Sequence, residues 1–282
     1  TRYFLASRGL GDVYKRQMQV YRRMDIGTAS PSAAERAAVP HHLVDVVEPS
    51  EDFDVGEFQR LARETLSDIR SRGGVPELEG GTGLYLRAVV DDLELPGLYP
   101  EVLGELETEP DTEALHRRLS SLDPVAAARM EPTNRRRVVR ALEVTIGSGR
   151  PFSDSGPGLR VYDPTPFVQM ALRWPRDELD ARIVARYDAQ MAAGFLAEVE
   201  ALAVVGPSRS AAQALGYREL LAHVRGECSL EEALDTAIRR TIRFARRQER
   251  WFRRDPRITW IDAPADPADV VRRWDEQRGH SA

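Results

Sequence analysis

Between "VPELE" and "LYLRAVV" the chain places Gly80, Gly81, Thr82 and Gly83 in a row. Glycines there let the backbone approach a ligand closely, and the free amides opening a following helix suit a phosphate. A tight strand-to-helix turn uses the same residues, so both readings stand. No Lys-Ser or Lys-Thr pair follows, so this is not a Walker loop. Farther on, Arg239, Arg243, Arg246, Arg250 and Arg253 recur at spacings of four and three, which puts them on one helix face. Arg240, Arg247 and Arg254 add a stripe at heptad spacing, and Ile238, Ile242, Ala245 and Phe252 form the expected buried seam. Local compensation is expected only from Glu249 and Asp255. A charge run is usually a solvated face. Here one sign is concentrated in a chain of net charge -5, and guanidinium forks match phosphate oxygens, which points to nucleic acid. A second cluster, "NRRRVVRALEV", sets Arg136, Arg137 and Arg140 on a helix whose Val139, Leu142 and Ile146 face inward. Two basic helices from separate modules suggest a cleft holding an elongated polyanion.

Other reactive side chains carry less. His41 and His42 have no third ligand at a usual spacing, so a polar strand start is expected and no metal site. Asp25 in "MDIGTA" is a polar loop residue that a cap or turn would also explain. Cys228 has no basic or His neighbour at catalytic spacing and is read as inert.

These residues need elements to position them. "HHLVDVVEP" (41–49) crowds Leu43, Val44, Val46 and Val47 around one Asp, as in a strand buried on both faces of a parallel sheet. A helix follows over "DVGEFQRLARETLSDIRSRGG", opened by Asp54 and Glu57 at capping-box spacing and stopped by Gly73 and Gly74. "VPELE" then reads as a strand before the glycine turn and its helix. Such a strand–helix–strand–helix series implies a doubly wound α/β sheet. Residues 101–149 are helical and Arg-rich, and "GRPFSDSGPG" closes them as a loop. "FVQMALRW" resumes a strand, and helices over "RDELDARIVARYDAQMAAG", "FLAEVEALAVVG", "GYRELLAHVRG" and "SLEEALDTAIRRTIRFARRQERWFRRD" run toward the end. The expected organisation is an unassigned segment at 1–17, an α/β core at 18–98 and 166–282, and a helical insertion at 99–165.

At 282 residues, with 42% hydrophobic and 30% charged, the chain can bury a sizeable core. One cysteine excludes an internal disulfide framework and fits a reducing compartment. No apolar run approaches the ~20 residues of a membrane span, and the opening segment is no signal peptide. A soluble, cytoplasmic protein is expected.

Taken together, "MQVYRRMDIGTA", "VPHHLVDVVEP", "GGTGLYLRAVVDDLE", "LDPVAAARMEPTNRRRVVRALEV", "GRPFS", "LDARI", "ALGYRELL" and "RFARRQERWFRRDP" resemble the tRNA dimethylallyltransferases, also called tRNA isopentenyltransferases. The resemblance runs from Met18 to about Trp260. It implies an α/β, P-loop-NTPase-like parallel-sheet core with a helical insertion domain and C-terminal helices. The implied reaction moves a dimethylallyl group from dimethylallyl diphosphate to the exocyclic amine of the adenosine 3′ of the anticodon, assisted by Mg²⁺. The implied partner is the tRNA anticodon arm, and the implied state is a monomer. Met18 and Gln19 match the end of the family's substrate loop, and Thr82 matches a tRNA-contacting position. Arg136, Arg137, Val138, Val139 and Arg140 match the insertion's tRNA segment. Arg243, Arg246, Arg247 and Gln248 match the C-terminal RNA-contacting run. Arg218, in "GYRE", resembles the catalytic cation beside the diphosphate.

Several positions depart from the family pattern. Its Gly-Lys-Thr/Ser phosphate loop has no counterpart here. Arg16 and Gln17 stand where its catalytic Asp and the following Ser belong, so residues 1–17 are expected to be foreign to the gene, and these 282 residues to transfer little or nothing. Glu77 and Glu79 replace aliphatic strand residues and would be costly if buried. Leu103 and Ile242 stand where arginines are usual. A non-catalytic tRNA-binding remnant of the family is the alternative reading.

Overall fold

The computed structural model describes residues 16–156 and 158–280. The expectation for residues 1–17 therefore lies outside them, apart from the backbone of Arg16 and Gln17, which opens a 3-10 turn over Arg16–Val20. In chain order the helices are α1 (Ala33–Ala38), α2 (Val55–Ser71), α3 (Gly83–Val90), α4 (Pro100–Glu107), α5 (Thr112–Leu122), α6 (Pro124–Ala128) and α7 (Arg135–Ser148). Strand β1 (Gln169–Arg173) follows, then α8 (Arg176–Ala192), α9 (Phe195–Val205), α10 (Arg209–Ala212), α11 (Tyr217–Val224) and α12 (Leu230–Phe252). Strand β2 (Ile258–Asp262) and helix α13 (Pro267–His280) complete the series. Two compact units result: Asp91–Asp163 is one, and the residues before and after it form the other.

The larger unit is mainly helical. Its strands β1 and β2 pair in parallel from Gln169↔Ile258 to Arg173↔Asp262. Phe195, Tyr187, Tyr217, Leu220, Ile183 and Met24 form the centre of its core. Local chemistry explains the helix ends. The Asp54 carboxylate accepts from the amides of Gly56 and Glu57 at 2.7 and 2.9 Å and so starts α2. Ser229 and Glu232 close a reciprocal capping box on α12. Gly194 and Gly206, both left-handed, bracket α9.

Two expected strands do not form among the described residues. The 41–49 run makes only a single parallel bridge, Tyr21↔Val47, because Leu43 and Asp45 adopt positive φ angles (59° and 56°) that break an extended backbone. "VPELE" is irregular, and the expected burial cost does not arise: Glu77 is exposed and Glu79 only half-buried. In the other direction, β2 and α13 are not among the expected elements, although "ITWID" carries the β-branched and aromatic residues of a strand.

The smaller unit packs α4, α5 and α7 around Leu106, Leu115, Leu119, Val138 and Leu142. Leu103 packs against this core, which accounts for an apolar residue there. Arg135 donates to the carbonyls of Leu106, Glu107 and Pro110, satisfying the end of α4. The buried Asp123 carboxylate accepts from Ala126 N at 2.9 Å and Ser153 N at 2.8 Å, tying α6 to the closing loop. Burial pushes its pKa up, but those two amides, the Ser153 hydroxyl and the Arg129 charge outweigh burial and hold it below the ordinary aspartate value. Its folded pKa lies below its unfolded one, so its contribution is full above about pH 4 and fades as pH falls through the folded value. Asp123→Ala should therefore cost this unit about 1–3 kcal/mol at pH 7. Paired thermal melts at pH 7 and pH 3 should show the deficit shrinking in acid.

Candidate active site

The loop carrying Met18 and Gln19 is anchored first by apolar burial. Val20, Tyr21 and Met24 are buried, and Met18 packs half-buried against the same core. Backbone bonds then fix its entry: Asp45 N donates to Gln19 O at 2.9 Å and Arg22 N to Val47 O at 2.9 Å. The Gln19 side chain turns back on its own loop, its Nε2 donating to Ala29 O at 2.8 Å and Thr28 O at 3.1 Å.

The tip of this loop is held from outside. Asp25 N and Ile26 N donate to Glu198 Oε2 at 2.9 and 2.7 Å, and Gly27 N donates to Oε1 at 3.0 Å. The Tyr217 hydroxyl donates to the same Oε1 at 2.5 Å, and Gln190 Nε2 donates to Ile26 O at 2.6 Å. Burial, then the Glu198 carboxylate beside it, pushes the Tyr217 pKa well above its ordinary value, so the hydroxyl remains a donor at neutral pH. Burial, then Asp45 and Glu198, also raises the Asp25 pKa. Gly27 permits the close approach: a Cβ there would lie 2.2 Å from the Phe195 ring and 2.3 Å from the Tyr217 ring.

The glycine turn meets α12. Gln248 Nε2 donates to Gly81 O at 2.8 Å, and a Cβ at Gly83 would fall 2.0 Å from Trp251 Nε1. Gly83 is thus required by helix packing. Beside it the Thr82 hydroxyl is buried without a hydrogen-bond partner among the described residues.

Arg218 is exposed in the first turn of α11, its Nη1 donating to Gln213 Oε1 at 3.0 Å. Its neighbour Glu219 is buried, accepting from Gly216 N at 2.9 Å and from Arg240 Nη1 at 2.5 Å.

The arginine stripe is more compensated than helical spacing alone suggests. Arg246 pairs with Asp180 of α8 at 2.7 Å, Arg240 with Glu219 of α11, Arg253 with Glu249 at 2.5 Å, and Arg239 with Asp235. Asp255 instead pairs with Arg257 at 2.7 Å. The expectation of compensation by Glu249 and Asp255 alone fails because Asp235 on the same helix and carboxylates on α8 and α11 also pair with its arginines. Arg247 lies over the Phe244 ring at 5.1 Å, and Arg243 is exposed with no ion pair among the described residues. The seam is also displaced: Ala233, Ala237 and Thr241 are buried, while Ile238, Ile242 and Ala245 pack half-buried against the core, so an apolar Ile242 suits its place.

In the smaller unit Arg136 and Arg137 are exposed and in no ion pair among the described residues. Arg140 is committed to structure, pairing with the buried Glu143 at 2.8 Å and donating to Pro96 O at 2.7 Å. Val138 and Val139 are buried, so their side chains hold the helix and present no surface.

The IPP transferase family matches residues 19–255 of this chain. The chain belongs to that family. Its similarity extends along most of its length. It is 49% identical over 263 residues to a tRNA dimethylallyltransferase of Kineococcus radiotolerans, covering 91% of this chain and 82% of the relative. It is 47% identical over 277 residues to one of Streptomyces coelicolor, covering 95% and 88%. Among solved structures, a tRNA isopentenylpyrophosphate transferase from Bacillus halodurans superposes with a TM-score of 0.68 at 36% identity, over 93% of this chain and 86% of the other. A eukaryotic dimethylallyltransferase acting on tRNA gives 0.72 at 25% identity, over 93% and 69%. Within this member of the IPP transferase family, Glu198, Gln190, Tyr217 and Trp251 hold the loop and the turn, and none was legible from spacing. Their partners stand far away in sequence, and no local motif joins them. A cavity of about 480 Å³, lined by Thr165–Gln169, Arg257, Thr259, Glu276 and Gln277, contains none of the predicted site residues.

Proposed function

We propose that the chain serves the reaction its relatives are named for, in tRNA modification. A dimethylallyl group passes from dimethylallyl diphosphate to the exocyclic amine of the adenosine 3′ of the anticodon. The allylic C–O bond breaks, the C–N bond forms, the amine loses a proton, and diphosphate leaves. The observation that carries this is the externally clamped loop bearing Gln19, together with the α12 clasp on the turn bearing Thr82. Both arrangements immobilise backbone that belongs to no strand, as a site for an extruded base requires.

In this reading Arg218 neutralises the leaving diphosphate, which an exposed guanidinium at a helix start can do bidentately. Arg243, Arg247, Arg136 and Arg137 take tRNA phosphates. Arg246 can join them, since its exposed pair with Asp180 is worth only ~1 kcal/mol or less and can be exchanged. Gln248 and Thr82 sit at the clasped turn, and Met18 and Gln19 border the flipped adenine. Among the described residues no group of three His, Cys, Asp or Glu converges on a metal site. A bound Mg²⁺ would add charge neutralisation at the leaving diphosphate beside Arg218.

One observation favours a second reading. Arg16 occupies the place the resemblance gives to the proton acceptor, and a guanidinium cannot accept a proton. On that reading the chain binds tRNA and transfers little or nothing. Incubation with labelled dimethylallyl diphosphate and unmodified tRNA decides between them. The first reading expects label transfer and the second tRNA binding with negligible transfer, while both expect binding that weakens with salt by a log–log slope of roughly -0.7 to -0.9 per phosphate contact. Robust turnover would overturn the second reading, negligible transfer by a chain that binds tRNA would overturn the first, and salt-insensitive or absent binding would overturn both.

A further inference from the structure

Three successive amides of one loop point at a single carboxylate that lies 171 to 173 residues away, that of Glu198. The same carboxylate receives the Tyr217 hydroxyl, and Tyr217 is the neighbour of Arg218 in the first turn of α11. Gln190 of α8 binds the carbonyls of Ile26 and Gly27 from the other side. Side chains from α8, α9 and α11 thus satisfy the tip of the loop. The loop in turn fixes Gln19, because Thr28 O and Ala29 O, just beyond the clamped amides, receive its side-chain amide. Arg36 pairs with Asp45 at 2.7 Å, and Glu198 is in no ion pair among the described residues.

A carboxylate is the one side chain suited to this place. It has only acceptors, and charge-assisted bonds to amides are about twice as strong as neutral ones. A glutamine of the same shape would turn an NH₂ group toward N–H or O–H donors.

We propose that Glu198 is a positioning residue for the proposed transfer: by gripping the amides of Asp25, Ile26 and Gly27 and the hydroxyl of Tyr217, it sets the Gln19 loop and the Arg218 turn in one fixed relation. The proposal rests on the functional reading above. Its chemistry is separate from that reading, since the grip exists whether or not the chain turns over.

The test uses the whole chain with Glu198→Gln, Gln19→Ala and the double variant. Amide hydrogen exchange at Asp25, Ile26 and Gly27 is expected to rise at least tenfold in Glu198→Gln while exchange across α12 stays unchanged. The affinity for unmodified tRNA is expected to fall about tenfold with its salt slope intact. The fall should not add to that of Gln19→Ala, since both remove the same contact. Unchanged exchange at the three amides, or strictly additive losses in the double variant, would overturn the proposal. Should Glu198→Gln fail to fold, Tyr217→Phe removes a single donor and is read in the same way, with a smaller rise in exchange. If the unsubstituted chain does not bind tRNA, the functional reading falls and the role in transfer with it. Faster exchange would then still support the grip itself.

Discussion

Gly27→Ala is expected to destabilise the larger unit by about 3 kcal/mol and to weaken tRNA binding together with stability. The backbone at Gly27 is not left-handed, so alanine carries no conformational penalty there, and the whole effect is steric. The added methyl would meet Phe195 at 2.2 Å and Tyr217 at 2.3 Å. Those rings pack edge to face, with centroids 4.9 Å apart, and both are fully buried. Neither can retreat without opening the centre of the core, so the loop must lift, and the Glu198 bonds lengthen as it does. Urea unfolding of the whole chain measures the cost, and filter binding of tRNA at fixed salt measures the loss. Gly104→Ala serves as the control. Nothing lies within 4 Å of its added methyl, in the middle of α4, and a gain of about 0.5–1 kcal/mol is expected. Equal stability of Gly27→Ala and the unsubstituted chain would show that the loop does not sit against these rings.

The second large effect is expected at Arg240→Met. Glu219 is 3% exposed at its side chain and Arg240 is 35% exposed. Removing the arginine strands a buried carboxylate whose remaining described partner is the Gly216 amide at 2.9 Å. Breaking fully buried pairs costs about 3–5 kcal/mol; because Arg240 is partly solvated, about 2 kcal/mol is expected here. The reading is sharpened by Glu219→Gln/Arg240→Met. With both charges gone the double variant should be more stable than Arg240→Met alone, and the coupling is the double variant's loss minus the summed losses of Arg240→Met and Glu219→Gln. Because Glu219 closes the start of α11, the single variant should also disturb Arg218 and any diphosphate affinity it confers. An additive cycle would mean that α11 and α12 hold together by packing alone.

The long helices were legible because their signals are local. Asp54 and Ser229 mark starts, Gly73, Gly149 and Gly206 mark ends, and apolar residues repeat with helical period between them. The 41–49 run misled for a physical reason. Its valines favour an extended chain, but Leu43 and Asp45 take left-handed conformations to bring Asp45 N onto Gln19 O, and tertiary hydrogen bonding overrides propensity. The candidate site was half legible. Gln19, Thr82 and Gln248 could be placed by motif resemblance. The carboxylate that fixes the loop could not, because Glu198 in "FLAEVEALAVVG" looks like any solvated helix residue. The charge balance of α12 is hidden from local sequence in the same way. Spacing reports which arginines share a face, and says nothing of an Asp180 or Glu219 supplied by another helix.

The reach of the Glu198 contacts also sets an order of events during synthesis. Residues 91–163 close upon themselves and can collapse as soon as they leave the ribosome. The Gln19 loop has no such option: the amides of Asp25, Ile26 and Gly27 must wait for a residue made 171 to 173 positions later. At about 5–20 residues per second that delay is on the order of 10 s. Through nearly all of it Val20, Tyr21 and Met24, destined for full burial, lack Phe195, Tyr217 and Leu220 at the centre of their core. A nascent chain halted before α9 should therefore be bound by chaperones through this loop, and one halted after α11 should not.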